Sequence, residues 1–360
     1  MTAATAWLES LSPWPQEFGL GRMQALLRAL GSPEGRYAAI HVVGSNGKST
    51  TTRTIEAALL AEGLHAGAYL SPHVTGWSER IRAGGDEVDL ERALGRVRLD
   101  AERLGATQFE VLTAAALAEF AAQHVDVAVV EAGLGGRLDA TNVLGARVVV
   151  LTNVSLGDHA LLGETRAAVA AEKLAVVGPG ATVVLGEPEW QALAEGNGAG
   201  RVIVEVGGNA ALAAVAAGAF LGRPVGVEET RPAGRLERRG RELWDGAHNP
   251  AGVLYLLGQL DEDVEVVVAS ILDDKDADAM LASLGSVTGT FVATASSSPR
   301  ALPAEELAAS ARRHFSRVEV VSEPEAALAR ARELTDGTIL VTGSHYLLAD
   351  LHLRQEQGVP

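Results

Sequence analysis

Cysteine is absent from the 360 residues, and with it go disulfides, zinc–thiolate sites and thiol nucleophiles. Catalysis is thereby confined to oxygen and nitrogen groups and to metal ions. Aromatic residues are few, with six Phe, five Trp and four Tyr, whereas hydrophobic residues, mostly Ala, Val and Leu, make up 47% of the chain. That composition suits helices packed on parallel strands. Basic residues are outnumbered, and a net charge of −16 argues against a general nucleic-acid binder, which needs an excess of basic surface. Long hydrophobic runs are missing too: the most apolar stretch, Ala210 to Leu221, falls well short of the roughly 20 residues that span a bilayer. The N-terminus, MTAATAWLESLSPWPQEF, has no basic region followed by an apolar one, so no signal peptide is expected. A soluble cytoplasmic protein without a membrane partner is the expectation.

The length predicts about two domains. Apolar, partly β-branched runs recur at 38–43, 65–70, 126–132, 146–154 and 181–186, and again at 242–247, 264–271, 289–296, 317–321 and 337–344. Segments with helical spacing separate them, an alternation that implies parallel sheets flanked by helices. The stretch LGRPVGVEETRPAGR (221–235) carries two prolines and three glycines and reads as the linker. We therefore expect domains at 1–222 and 223–360.

In such a sheet, ligands bind at the carboxyl ends of the strands, so the residues that follow the apolar runs come first. GSNGKST (44–50) follows AAIHVV. Position 42, where the standard phosphate-loop pattern has its first glycine, is valine, so the loop is a short one. Its elements survive: Gly44 and Gly47 let backbone N–H groups approach phosphate, Lys48 neutralises it, and Ser49 and Thr50 bring hydroxyls to Mg2+. Glu131 ends a strand that is otherwise apolar, a costly place for a carboxylate unless it is paired or holds a cation, which makes it a candidate Mg2+ ligand. Asp139 with Asn142, and Asp245 with Gly246, read equally as turn residues. Lys173, in an Ala-rich helical pattern, reads by itself as a snorkelling surface lysine.

The stretches FGLGRMQALLRALGSPE, GSNGKSTTT, YLSPHV, SERIRAGG, QFEVLTAAALAEFAAQHVDVAVVEAGLGGRLDATNV, LTNVSLGDHALLGET, GRLE, DGAHNP and GSHYLL occur in this order. Together they resemble the folylpolyglutamate synthase and dihydrofolate synthase family of the Mur-type ligases. The resemblance implies an α/β fold: an N-terminal P-loop-type Mur ligase ATPase domain with a parallel sheet, and a smaller C-terminal Rossmann-like α/β domain. It implies ATP on Gly44, Asn46, Gly47, Lys48, Ser49 and Thr50, with Asn209, Arg235, Asp245 and His248 also holding the nucleotide. Ser49, Ser71 and Glu131 match Mg2+ ligands, and Lys173 matches a lysine that becomes carbamylated and bridges to a second Mg2+. Arg80 and Arg82 fall in a segment that forms a loop near the folate site in the family, and Phe109 matches a residue lining the pterin pocket. Each of these three also has a bland reading, as surface charge or core. The implied reaction attaches L-glutamate to a folate or dihydropteroate carboxylate through an acyl phosphate, by a monomeric enzyme.

The order from Ser155, Ser-Leu-Gly-Asp158-His159-Ala, departs from the family's Gly-Leu-Asp-His-Thr. Asp158 stands where the metal-binding histidine belongs, so either His159 reaches back or Asp158 binds instead. The interval from Lys173 to Asn209 is short for the family, and Gly207 and Gly208 replace its His-Gln. Two other readings stay open at this point: a Mur-type ligase with a different acid and amine, and a non-catalytic nucleotide-binding protein of the same fold.

Overall fold

The computed structural model describes residues 2–156 and 162–356, the side chains of 354–356 apart. The chain forms two compact units, one comprising residues up to Pro72 together with Trp77–Thr230, the other comprising His73–Gly76 and the chain from Arg231 onward. The crossover after Thr230 lies beyond the boundary at 222/223 expected from the linker. The cause is local: Thr230 N–H donates to Thr54 Oγ1 at 3.0 Å, and Val225 and Val227 pack on the first unit's core.

In the first unit eight strands form one sheet: β1 (Ala38–Val43), β2 (Ala66–Tyr69), β3 (Ile81–Ala83), β4 (Asp86–Glu87), β5 (Val127–Glu131), β6 (Val148–Leu151), β7 (Thr182–Leu185) and β8 (Arg201–Val204). Their order is β4-β3-β2-β5-β1-β6-β7-β8. All pairings are parallel except β2–β3 and β3–β4. Because side chains alternate along a strand, Ile40 and Val42 of β1 face a core shared with helices Lys48–Ala61 and Asn209–Leu221. Val43 faces the opposite core with helix Arg166–Leu174, and Ala39 packs with helix Gln108–Ala122. That last helix starts sharply because Thr107 and Glu110 form a reciprocal capping box, satisfying two of the first-turn amides.

The second unit has six strands: β9 (Glu237–Arg239), β10 (Glu242–Trp244), β11 (Val264–Ala269), β12 (Thr290–Ala293), β13 (Arg317–Val320) and β14 (Thr338–Thr342). Their order is β13-β12-β11-β14-β10-β9, with only β9–β10 antiparallel. Val74, from the inserted segment, packs in this unit's core with Trp244, Leu347 and Leu348. In both sheets chain order and spatial order part company: β1 lies between β5 and β6, and β14 between β11 and β10. Such switch points open a crevice at the carboxyl ends of the strands. Among the described residues no helix is long and apolar enough to cross a membrane.

Candidate active site

The first unit's site grows from the end of β1. Gly44 and Gly47 have φ of 151° and 80°, and neither tolerates a side chain. A Cβ on Gly44 would stand 1.9 Å from Thr152 Oγ1, and one on Gly47 2.4 Å from Asn209 Oδ1. The loop between them is latched to the chain leaving β6. Thr152 Oγ1 and Asn153 Nδ2 donate to Asn46 O at 2.7 and 3.1 Å, and the Asn46 amide donates to Asn153 Oδ1 at 3.0 Å. The Ser45 amide is bound to Asn153 O at 2.9 Å. These two amides are therefore occupied in shaping the loop, and the donors suited to phosphate are those of the first helical turn, which have no intrahelical acceptor. Lys48 lies in that turn, its Nζ 3.4 Å from Ser45 O, and Thr50 is buried beside it.

The sheet order explains what meets this loop. β2 and β1 flank β5, so Ser71, Glu131 and Ser49 converge although they are far apart in sequence. Glu131, buried to 1% exposure, accepts from Ser49 Oγ at 3.0 Å and from the Ser71 amide at 3.1 Å. Among the described residues no cluster of three or more acidic or histidine side chains forms a metal cage. One carboxylate beside a hydroxyl still fits Mg2+, which keeps its waters and takes substrate phosphates rather than an all-protein cage.

Lys173 is not a surface lysine. It is 2% exposed, and its Nζ donates to Gly44 O at 2.9 Å. Its position is fixed by the loop after β5: a Cβ on Gly136 would come within 2.6 Å of both Glu172 O and Lys173 O, and the Arg137 amide donates to Glu172 O at 3.0 Å. Asn209, the buried first residue of its helix, lies 3.5 Å from Thr51 Oγ1. Asp158 and His159 lie outside the described residues.

Asp139 turns inward as a loop-builder. Its Oδ2 accepts from the Leu134 amide at 2.8 Å, and its Oδ1 from the Thr141 amide at 3.0 Å and from the Thr141 hydroxyl. Because that hydroxyl donates to Asp139, it accepts from His41 Nε2–H at 2.8 Å. Burial raises the Asp139 pKa, against the pull of these hydrogen bonds. Burial likewise lowers that of His41 to about 4.

In the second unit, Asp245 and His248 follow β10. Asp245 Oδ2 and Oδ1 accept from the amides of Leu236 and Ala247, both at 2.8 Å, so its carboxylate ties the Arg235 segment to the DGAHNP turn. Burial raises its pKa, opposed by the charge of Arg235. His248 Nδ1–H donates to Gly246 O at 2.9 Å. Asn249, wholly buried, caps helix Pro250–Leu257 by accepting from the Gly252 amide at 2.7 Å. Its buried N-cap position, immediately after His248, marks it as a supporting residue that sequence reading passed over.

Residues 234–345 match the family model of the Mur ligase, glutamate ligase domain. The dihydrofolate synthase/folylpolyglutamate synthase of Mycobacterium tuberculosis is 31% identical over 388 residues, covering 84% of this chain and 80% of that protein. The protein of the same description from Escherichia coli is 30% identical over 400 residues, covering 96% and 93%. The chain belongs to the folylpolyglutamate synthase/dihydrofolate synthase family. It is accordingly an ATP-dependent amide ligase of the Mur class. A family structure, the bifunctional folylpolyglutamate synthase/dihydrofolate synthase of Yersinia pestis complexed with AMPPNP and Mn ion, superposes with a TM-score of 0.87 at 27% identity, covering 99% of this chain and 98% of that one.

Phe109, Arg80 and Arg82, expected from the resemblance on the folate side, have distinct surroundings. Phe109 touches the loop after β5: a Cβ on Gly133 would fall 2.6 Å from its Cζ, and its ring centroid is 6.0 Å from that of Tyr69. Arg80 ends a short 3-10 turn with its guanidinium 4.8 Å over Trp77. Arg82 lies on β3 rather than in a loop, with its Nη2 donating to Gly85 O and its Nε 3.5 Å from the buried Glu56. The strand forms because Arg82 pairs with Ala68 and Glu87 on either side, and the ion pair ties its guanidinium to helix Lys48–Ala61.

Proposed function

We propose that this chain joins L-glutamate to a folate or dihydropteroate carboxylate, activating the acid with ATP as an acyl phosphate. The observation that carries the reading is the convergence of Lys48, Ser49, Ser71, Glu131 and Lys173 on the carboxyl ends of β1, β2 and β5. That is the donor set a metal–nucleotide complex requires, in the position where α/β sheets bind ligands. The substrate carboxylate attacks the γ-phosphorus and ADP leaves. The amine of L-glutamate then adds to the acyl carbon and expels phosphate, leaving an amide.

Charge builds on the transferring phosphoryl oxygens, so positioning and neutralisation supply most of the acceleration. Lys48 and the first-turn amides after Gly47 are the candidates for the nucleotide phosphates in the first unit, and the Arg235 guanidinium is the candidate for an anionic oxygen of the nucleotide in the second. Asn209 keeps the loop in register, and Asp245 and His248 set the backbone beside Arg235. Ser49, Ser71 and Glu131 are the residues to hold Mg2+, which would neutralise phosphate charge. Lys173 is the candidate for carbamylation, and Asp158 or His159 for a further metal contact. Phe109, Arg80 and Arg82 are the candidates for the pteridine side. The non-catalytic alternative is disfavoured by Lys173, a buried amine held against the phosphate loop, for which a simple binding module has no use.

Phosphate release with MgATP and L-glutamate, comparing dihydropteroate, tetrahydrofolate and no acceptor, tests the proposal. Release that depends on one pteridine and on Lys48 establishes the ligase and says which activity dominates. No release with either pteridine, from protein that still binds ATP, overturns it.

A further inference from the structure

In the second unit a guanidinium and two imidazoles gather over one glycine. Arg235 Nη1 lies 3.2 Å from His345 Nδ1 and 3.0 Å from His345 Nε2. One atom cannot approach both ring nitrogens so closely within the ring plane, because the carbon between them would be in the way. The guanidinium nitrogen therefore sits over the imidazole face, the geometry of a cation on a π surface. The His248 ring centroid lies 5.2 Å from that of His345, with the planes 54° apart. Gly246 permits the approach: a Cβ there would come within 2.1 Å of His345 Cε1 and 2.8 Å of Arg235 Nη1. The sheet brings these groups together, since β14, which precedes His345, pairs through Ile339, Leu340 and Val341 with β10, which precedes Asp245 to His248.

We infer that His345 is a positioning residue, holding the Arg235 guanidinium over the 245–248 turn in the orientation in which it receives an anionic oxygen of the nucleotide. The inference rests on the proposal that Arg235 takes phosphate charge. Arg235 is then fixed at both ends. Its backbone is tied through the Leu236 amide to Asp245, and its head is backed by the His345 ring. An arginine restrained before binding loses less conformational freedom when its ligand arrives, so the restraint appears as affinity.

Calorimetric titration of the full chain with MgADP tests this. His345→Leu removes the aromatic face and is expected to weaken MgADP binding about five- to tenfold, the scale of one side chain left to be ordered by the ligand. His345→Phe keeps the face and is expected to stay within about twofold of the parent. Gly246→Ala, which pushes a methyl between ring and guanidinium, is expected to reproduce the Leu variant by an independent route. The deciding measurement is the cycle with Arg235→Ala: the double variant Arg235→Ala/His345→Leu should bind no more weakly than Arg235→Ala alone, because His345 acts only through Arg235. Additive losses, or a His345→Leu protein that binds like the parent while Arg235→Ala binds weakly, overturn the role of His345 and leave that of Arg235 standing. An Arg235→Ala protein of unchanged affinity overturns both.

Discussion

Lys173 Nζ donates to the carbonyl oxygen of Gly44 over 2.9 Å, joining the last turn of helix Arg166–Leu174 to the residue at which β1 becomes its loop. An ammonium there is matched to its acceptor, and the negative end of the helix favours it further. A carbamate would be matched to neither, so carbamylation requires Nζ to leave Gly44 O and turn toward cations brought by the substrate. On the proposed role of Lys173, the contact is that of the amine before carbamylation.

Both Lys173→Ala and Lys173→Arg are therefore expected to lose about 100-fold or more in kcat, the scale of removing one preorganised electrostatic group. Arg keeps the charge but cannot be carbamylated. Wild-type activity should fall in buffer stripped of CO2 and return on adding bicarbonate, while the Arg variant responds to neither. An Arg variant within about threefold of wild type would mean that the lysine serves as a cation only.

The loop glycines differ in what a methyl group would meet. Gly44→Ala drives Cβ into Thr152 and Gly47→Ala drives it into Asn209, whereas Gly63, also at positive φ, has nothing within 4 Å. Gly63→Ala should cost only the left-handed backbone penalty of about 1 kcal/mol. Gly44→Ala should cost a further 1–3 kcal/mol, roughly the range for overpacking, and should also weaken MgADP binding. Chemical denaturation and calorimetry on the three proteins check this. Equal destabilisation by all three substitutions would show that the loop absorbs the methyl groups without strain.

How much of this was legible beforehand depended on length and burial. All ten apolar runs contain strands, because parallel strands buried on both faces leave continuous hydrophobic text. β3, β4, β8 and β9 went unseen: they read IRA, DE, RVIV and ERR, and each lies at or next to a sheet edge, where charge is tolerated. Among the site residues, Glu131 could be read because a carboxylate interrupts an apolar strand. The burial of Lys173 could not be read, since alanines on every side of a helix do not say which face is covered. His345 was missed because its contacts come from β10 and β14 being neighbours, a pairing between strands far apart in the chain.

Glu131→Gln separates charge from shape. The Gln oxygen can accept from the Ser71 amide while its NH2 donates to Ser49 Oγ, which turns from donor to acceptor, so the fold should hold, with a melting temperature within a few degrees of the parent. The lost charge should raise the Mg2+ concentration needed for half-maximal activity and lower kcat by about 100- to 1000-fold. Mg2+ titrations of phosphate release provide the measurement. An unchanged Mg2+ requirement would remove Glu131 from the metal site and leave it a structural acceptor.

His41 makes stability depend on pH in a definite direction. The ring is wholly buried in β1, its Nε2–H is given to Thr141, and its Nδ1 has no hydrogen-bond partner among the described residues. Burial lowers its pKa from 6.5 to about 4. Between those values the unfolded chain binds a proton that the folded chain refuses. The contribution of neutral His41 is thus fully present above pH 6.5 and is lost as pH falls toward 4, amounting to about 3 kcal/mol over the interval. His41→Gln, which keeps a donor for Thr141 but does not titrate, should be less stable than wild type at pH 7, with the gap narrowing steadily on acidification. Urea unfolding of both proteins at several values between about pH 7 and pH 4.5 measures it. Parallel stability curves would show that His41 takes up its proton in the folded state as readily as in the unfolded one.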